Sequence, residues 1–256
     1  MHAAHRQLPY TVRLDWGLKG ATAILPGAQA AVVVDTLSFS TTVSVGVEAG
    51  LAVIPFRTAP GDGELQASAA RLAAERGALL AGPRSLTQLS LSPSSILAHA
   101  ARSEGGELVL PSPNGSAISQ HLAGHVPQLL AGTLRNAGAT AAWLSRHLPP
   151  SAVIAVVAAG ERWPGGALRP ALEDQLGAGA ILAALARPAA QLSPEARAAV
   201  ALFEAFRDDL PEQLLESASG TELVMHGFGH DVELAAQLDA CTVAARYQDG
   251  AFRAVS

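Results

Sequence analysis

The sequence predicts an α/β protein with three layers, α/β/α, around a parallel or mixed central sheet. One unit recurs along the chain: a short apolar run leads through a loop of small polar residues into an Ala-rich stretch of helical period. The apolar runs are continuous in Val, Ile and Leu, which is typical of strands covered by helices on both faces. Hydrophobic residues make up 49% of the chain and charged residues 15%, so we expect a compact fold with a large core.

The recurring unit places the elements in order. Its strands are predicted at 31–35, 107–111, 128–132 and 152–160, each followed by a polar loop and a helix. Shorter strands are predicted at 52–56 and 78–82, with a helix over 64–76 between them. An amphipathic helix is predicted between Pro188 and Pro211, followed within 211–240 by two more helices around a Gly-rich turn.

The chain is long enough for one large α/β unit, and we expect a single unit over 1–256. The clearest break lies at Pro149 and Pro150, which end a predicted helix and stiffen the connection that follows. Two lobes meeting near 149–150 are therefore the alternative organisation.

Composition also limits the partners. The formal net charge is −5, and Lys19 is the one lysine among 17 basic residues, so no basic face for nucleic acid is expected. No signal segment and no run of roughly 18 apolar residues is found, so no membrane association is expected. Cys241 is alone, in a segment predicted to be helical, which is compatible with a cytoplasmic location. The apolar composition makes a homodimer a reasonable expectation.

The stretch VVVDTLSFSTT is the first candidate for a functional site. Asp35 ends a buried strand, and the hydroxyl residues Ser40, Thr41 and Thr42 follow where a helix should begin. Such hydroxyls either cap the helix or hold an anion at its N-terminus, and for any single one the two readings are equally good. Capping does not explain Asp35.

A second strand-end loop, PSPNGS, holds Asn114, Gly115 and Ser116. The Asn-Gly pair is typical of a tight turn with positive φ, after which Ser116 would cap the next helix. The functional alternative is a backbone nest that binds a phosphate or sulfonate together with the Asn114 amide.

The third candidate is the acidic pair Glu173 and Asp174, at the entry to an apolar helix. Neighbouring residues cannot share one helical face, so one carboxylate would reach a site while the other caps the helix or supports that site. Pairing with the helix dipole is the simpler alternative. Together with Asp35, the pair could supply the oxygen ligands that Mg2+ prefers.

Six segments occur in the order of a known family: VVVDTLSFSTT, LLAGPRSLTQLSLSPSSI, LVLPSPNGSAI, LLAGTLRNA, VVAAGERWPGG…LEDQLGAGAI and HDVELAAQLD. Together they resemble the 2-phosphosulfolactate phosphatase family. The resemblance implies a magnesium-dependent acid phosphatase that releases sulfolactate and inorganic phosphate, a step toward coenzyme M in organisms that make it. It also implies an α/β/α layered fold.

Several site positions of the family are retained. Those that match are Asp35, Thr41 and Thr42 in its Asp-x-Leu-Arg-Ala-Ser/Thr-Thr motif, Arg84 in Gly-Glu-Arg, Asn114, Gly115 and Ser116 in Thr-Asn-Gly-Thr, and Gly160, Glu173, Asp174 and Gly179 in Gly…Glu-Asp…Ala-Gly. Three polar positions differ: Ser38 replaces an arginine, Pro83 a glutamate and Leu91 an asparagine. Compensation for the missing arginine would have to come from another one, for which the candidates are Arg84, Arg135 and Arg162.

Two hypotheses follow. The leading one is a magnesium-dependent phosphatase acting on a small anionic phosphoester. Its catalytic and metal-binding residues would be Asp35, Glu173 and Asp174, and its substrate-binding residues Ser40, Thr41, Thr42, Arg84, Asn114, Gly115 and Ser116. The alternative is a catalytically degenerate family member that binds a small anion or a protein partner.

Overall fold

The computed structural model describes residues 2–58, 62–84, 89–102 and 105–256. The strands are β1 (Val12–Trp16), β2 (Ala28–Val34), β3 (Ala52–Arg57), β4 (Leu79–Leu80), β5 (Glu107–Ser112), β6 (Gln128–Gly132), β7 (Val153–Ala158), β8 (Glu161–Arg162), β9 (Leu168–Arg169), β10 (Ala244–Gln248) and β11 (Ala251–Val255). The helices are α1 (Gly17–Ile24), α2 (Phe39–Glu48), α3 (Gly63–Arg76), α4 (Pro93–Ala100), α5 (Gly115–Ala123), α6 (Ala137–His147), α7 (Leu172–Ala184), α8 (Pro194–Phe206), α9 (Leu210–Glu216), α10 (Ala218–Met225) and α11 (Gly229–Ala235).

Nine of the described strands form one mixed sheet in the order β1-β7-β2-β6-β10-β11-β3-β5-β4. β1, β7, β2 and β6 make one parallel block, and β3, β5 and β4 make another. The antiparallel hairpin β10–β11 lies between them and pairs antiparallel with β6 and with β3. The two parallel blocks therefore run in opposite directions, and the predicted α/β class is confirmed.

The side chains of β2 alternate between two apolar cores. Ala31 and Val33 face a core that also contains buried residues of α2, α5 and both parallel blocks. Val32 and Val34 face the opposite core, with α6, α7 and α8. All four side chains are fully buried, which explains the continuous apolar run in the sequence. Helices cover this part of the sheet on both faces, as the three-layer prediction requires.

The segment after Pro211 differs from its prediction, because it holds three helices where two were expected. Ser217 separates α9 from α10, and its hydroxyl accepts a 3.0 Å hydrogen bond from the N–H of Gly220. This N-cap ends one helix and starts the next within a single residue. A side chain at position 220 would collide with the carbonyl oxygen of Leu214, so glycine allows the tight reversal.

Four further parts of the fold were not predicted: β1 with α1 near the N-terminus, the helix α4, the hairpin β8–β9 in a predicted loop, and the hairpin β10–β11. The prediction of helix at Cys241 is wrong, because this residue is buried in a segment without regular secondary structure just before β10.

Strands on both sides of Pro149 and Pro150 belong to the same sheet, since β2 pairs with β6 before them and with β7 after them. The choice between one unit and two lobes stays a prediction. Across the described residues, no helix is both long and apolar enough to cross a membrane.

Candidate active site

The carboxylate of Asp35 is held by the N-termini of two helices. Its Oδ1 accepts a 3.3 Å hydrogen bond from the N–H of Phe39, the first residue of α2, and its Oδ2 accepts a 2.8 Å bond from the N–H of Gly115, the first residue of α5. Helix N-termini carry partial positive charge and favour such a carboxylate. Burial nevertheless raises the pKa of Asp35 to about 6; the two N–H groups oppose that rise, and the negative charge of Glu173 adds to it.

Gly115 is required here for close approach. A Cβ at this position would lie 2.7 Å from Oδ2 of Asp35 and would collide with the ring of Phe39. The predicted positive φ is wrong: Asn114 has a φ of −103°, and Gly115 is not among the positive-φ glycines. Nor does Ser116 cap the helix, because Asn114 occupies the N-cap position.

Asp174 ties together the loops that follow β2 and β7. Its Oδ1 accepts a 2.7 Å hydrogen bond from the N–H of Thr36, and its Oδ2 accepts a 2.8 Å bond from the N–H of Gly160. Burial is the main cause of its raised pKa, and the charges of Asp35 and Glu173 add to the rise. Both oxygens accept from backbone amides, as those of Asp35 do, so Asp174 supports the loops that carry the site. Its predicted role as a catalytic residue and metal ligand stays a prediction.

Glu173 differs from its neighbour. Its side chain is only 2% exposed, yet its carboxylate makes no hydrogen bond with any described residue. It lies close enough to Asp35 and Asp174 to raise the pKa of both. Neither of its oxygens is among the fully buried polar atoms without a partner, so the carboxylate keeps some access to solvent and is free to accept a cation.

Glu161, the first residue of β8, joins Asp35, Glu173 and Asp174 to form what we call the acidic group. The sequence analysis did not identify Glu161. The Asn114 amide Nδ2 donates a 3.1 Å hydrogen bond to its Oε2. Burial, followed by the charges of Asp35 and Glu173, raises the pKa of Glu161 to about 7. The available signal was its position, since it follows the end of β7 as Asp35 follows β2.

The acidic group fits a divalent cation in donor chemistry and in charge. Hard oxygen donors and excess buried negative charge are what Mg2+ requires. Within the described residues, however, no three His, Cys, Asp or Glu side chains are already gathered as metal ligands. Mg2+ is usually held by one or two carboxylates, with water and substrate phosphate as its other ligands. The residues present fit that limited mode of binding.

Two of the predicted substrate-binding hydroxyls are engaged inside the protein. The Ser40 hydroxyl donates to the carbonyl of Val33 at 3.1 Å and accepts from the N–H of Asp35 at 3.0 Å. The Thr41 hydroxyl donates to the carbonyl of Thr36 at 2.8 Å. Both side chains are fully buried, so they fix the shape of the loop, and their contact with substrate stays a prediction.

Thr42 and Ser116 are engaged in the same way. The Thr42 hydroxyl donates to the carbonyl of Leu91 at 2.7 Å, and the Ser116 hydroxyl donates to the carbonyl of Leu110 at 3.0 Å. These bonds link α2 and α5 to neighbouring segments. A direct role of either hydroxyl in binding also stays a prediction.

A cleft of about 830 Å3 opens beside the acidic group. Its lining residues are Leu37, Arg84, Glu161, Arg162, Trp163, Pro164, Gly166, Arg169, Ala218, Ser219, Glu222 and Leu223. Three arginines, the half-buried Glu161 and the exposed Glu222 thus share the cleft wall. Several of the lining residues belong to the hairpin β8–β9. Its Trp163 side chain is 56% exposed.

Each cleft arginine is held by a polar neighbour. Arg84 donates to the hydroxyl of Ser38. Arg162 donates from Nε to Oδ1 of Asn114 at 3.2 Å. Arg169 donates from Nη2 to the hydroxyl of Ser219 at 2.9 Å.

Arg135, the remaining candidate to replace the arginine missing at position 38, is not among the residues that line the cleft. It forms a 3.0 Å ion pair with Glu48 and donates to the side chain of Gln237. Arg84 and Arg162 are therefore the predicted arginines that the structure brings to the site, and Arg169 is an additional one.

A sequence profile of the family described as 2-phosphosulpholactate phosphatase matches residues 21–250. The chain belongs to this family. The family name describes a phosphoric monoester hydrolase, and its profile spans Asp35, Arg84, Asn114, Glu161 and Glu173 alike. Every segment that forms the acidic group and the cleft therefore lies within the family match.

Two curated family members are similar to this chain. A probable 2-phosphosulfolactate phosphatase of Parasynechococcus marenigrum is 31% identical over 208 residues, which cover 79% of this chain and 81% of the relative. Another, from Gloeobacter violaceus, is 30% identical over 145 residues, or 57% of each chain. The second match therefore spans little more than half the length of that relative.

Proposed function

We propose that this family member hydrolyses a small anionic phosphomonoester, 2-phosphosulfolactate, to sulfolactate and phosphate. The observation that carries the proposal is the Asp35 carboxylate, fixed by two helix N-termini within an acidic group that borders an arginine-lined cleft. Family membership and the names of both relatives support the reaction class and the substrate.

The arginines suit a substrate with several negative charges. 2-Phosphosulfolactate carries a phosphate, a sulfonate and a carboxylate, and Arg84, Arg162 and Arg169 offer three cations within one cleft. Each charged hydrogen bond to an anion contributes about 1.5–3 kcal/mol. Neutralising the phosphate is the main requirement, because uncatalysed monoester hydrolysis is among the slowest known reactions.

Asp35 and Glu173 are the residues that we propose would hold Mg2+. When bound, the ion supplies Lewis-acid polarisation of the phosphoryl group and a more acidic water. Asp35 is oriented for this by the N–H groups of Phe39 and Gly115, whereas Glu173 has no hydrogen bond from the described residues. Asp174 holds the adjoining loops in register through Thr36 and Gly160.

Glu161 is the residue that we propose would supply a proton to the leaving oxygen. It lines the cleft, and the Asn114 amide orients its carboxyl group. A pKa of about 7 allows the group to be protonated at neutral pH. The leaving alkoxide needs a proton, which a positioned acid can donate.

The test is phosphate release from 2-phosphosulfolactate by the purified protein, with and without Mg2+. We expect turnover that depends on the metal and is lost in Asp35→Asn, whereas Asp208→Asn, at an exposed aspartate, retains it. Undiminished turnover without metal or in Asp35→Asn would rule out the assignment. The cytoplasmic location, the link to coenzyme M and a homodimer stay predictions.

The degenerate alternative has a separate outcome in the same experiments. It is motivated by Ser38, Pro83 and Leu91, which stand where the family resemblance has polar groups. Thermal shifts with phosphate, sulfolactate and Mg2+ report binding, because a ligand that binds only the folded state raises its stability. Stabilisation without any hydrolysis would favour a binding protein.

A further inference from the structure

A buried carboxylate outside the acidic group lies behind one of the cleft arginines. Asp231, in α11, is 1% exposed. Its Oδ1 accepts a 2.7 Å hydrogen bond from the Ser92 hydroxyl and a 3.1 Å bond from the N–H of Ser94, at the start of α4. These two contacts join α11 to α4 and occupy one of the two carboxylate oxygens.

The other oxygen is directed at Arg84. Oδ2 of Asp231 lies 3.7 Å from Nε of Arg84, and neither atom has a hydrogen-bond partner among the described residues. Both atoms are buried. The separation is too long for a hydrogen bond, but opposite charges at this distance attract strongly away from bulk water. The ring of Phe228, from the turn before α11, also lies 5.5 Å from Cζ of Arg84.

Arg84 is thus held from two sides. Asp231 and Phe228 contact it from the α11 side, while Ser38 accepts a hydrogen bond at its far end. The guanidinium lines the cleft between these contacts. A long arginine side chain has many rotamers, and binding an anion would otherwise require most of them to be lost.

We propose that Asp231 is a positioning residue that acts through Arg84 and prepares its guanidinium for the substrate phosphate. The inference rests on the proposed function, because it takes phosphate as the ligand of Arg84. Asp231 itself is buried behind the arginine and is not among the residues that line the cleft.

A double-mutant cycle with Asp231→Asn and Arg84→Ala tests the inference. The asparagine keeps an oxygen for Ser92 and Ser94 but removes the charge facing Arg84. We expect about a tenfold loss of affinity for inorganic phosphate, measured by calorimetry with Mg2+ present, and a similar rise in KM with a smaller change in kcat. In the Arg84→Ala background, Asp231→Asn should cause no further loss.

The matched control is Glu233→Gln, which removes one negative charge from the same helix. Glu233 is 63% exposed and pairs with His230, so phosphate affinity should not change. Asp231→Glu retains the charge and should bind phosphate better than Asp231→Asn. If the asparagine variant does not fold, the same cycle is run with Asp231→Ser, which also removes the charge facing Arg84.

Additive effects of the two substitutions would overturn the inference, as would equal losses in the Asn and Glu variants. The outcome is separable from that of the proposed function. Coupled phosphate binding without any turnover would leave the inference standing and reject the phosphatase. Turnover by the wild type, combined with additive effects of the two substitutions, would support the phosphatase and reject the inference about Asp231.

Discussion

The N–H of Gly115 donates a 2.8 Å hydrogen bond to the carboxylate of Asp35, across 80 positions of sequence. The two residues follow β2 and β5, strands of blocks that run in opposite directions. They meet because α2 and α5 pack into the same apolar core, on one face of both blocks. The site therefore depends on how these two helices pack as much as on the strand ends.

Gly115→Ala should impair both stability and activity. The new Cβ would lie 2.7 Å from Oδ2 of Asp35 and against the Phe39 ring, so α5 would have to move away. We expect a loss of about 1–3 kcal/mol in the free energy of unfolding, measured by urea denaturation. Gly124→Ala, at the other end of α5, is the control, because a Cβ at that position would have no neighbouring atom within 4 Å. Equal stability of the two variants would contradict this packing.

Asp174→Asn should loosen two loops at once. An amide has one acceptor oxygen, so either the Thr36 or the Gly160 N–H would face an NH2 group in place of an oxygen. An unsatisfied buried donor costs about 1–3 kcal/mol, to be measured by chemical denaturation. Asp208→Asn, at an exposed position, should leave the unfolding free energy unchanged. Full stability of Asp174→Asn would show that these two hydrogen bonds contribute little.

Removing a cleft arginine should raise KM, whereas removing Arg135 should not. Arg169→Ala removes a cation that lines the cleft and should raise KM about tenfold. Arg135→Ala removes an ion pair with Glu48 outside that lining and should lower stability with KM unchanged. Steady-state kinetics measure KM, and thermal melting curves measure stability. A KM effect in Arg135→Ala alone would place the anion elsewhere.

Glu161 should impose a pH limit on kcat/KM. As a proton donor it must be protonated, and its pKa in the free protein is raised to about 7, so kcat/KM should fall as pH rises through about 7. Glu161→Gln cannot donate a proton; its kcat/KM should be lower by about 100-fold or more, without that fall. A pH–rate profile that keeps the same fall in Glu161→Gln would assign the titration to another group.

Mg2+ should stabilise the folded protein through Asp35 and Glu173. A ligand present at 100 times its dissociation constant adds about 2.7 kcal/mol of stability. The melting temperature of the wild type should therefore rise with Mg2+, and Glu173→Gln should respond much less. Glu195→Gln, at an exposed glutamate, should respond as the wild type does. An equal shift in all three proteins would place the ion outside the acidic group.

The strands that lie inside the sheet could be predicted from sequence, because a strand buried on both faces must be apolar throughout. The hairpin β10–β11 could not be found in this way, since in β10 the buried Ala244 and Ala245 precede partly exposed residues. The turn did carry a signal: Asp249 and Gly250 both have positive φ, as expected for an Asp-Gly hairpin turn.

Within the site, residue type alone could not separate support from chemistry. Ser40 and Thr41 look like anion ligands in sequence, yet both hydroxyls bond to backbone carbonyls. The sequence also could not show how the roles of Glu173 and Asp174 differ. The difference arises from the hydrogen bonds that the N–H groups of Thr36 and Gly160 donate to Asp174. Only the folded chain shows which polar groups are already satisfied.

The position of the last hairpin has a consequence for synthesis. β10 and β11 lie between β6 and β3, so a chain that has not yet been synthesised beyond residue 243 would leave one edge of β6 and one edge of β3 unpaired. Exposed strand edges recruit other chains and promote aggregation. We expect a chain truncated before residue 244 to be insoluble when it is expressed and fractionated beside the intact chain.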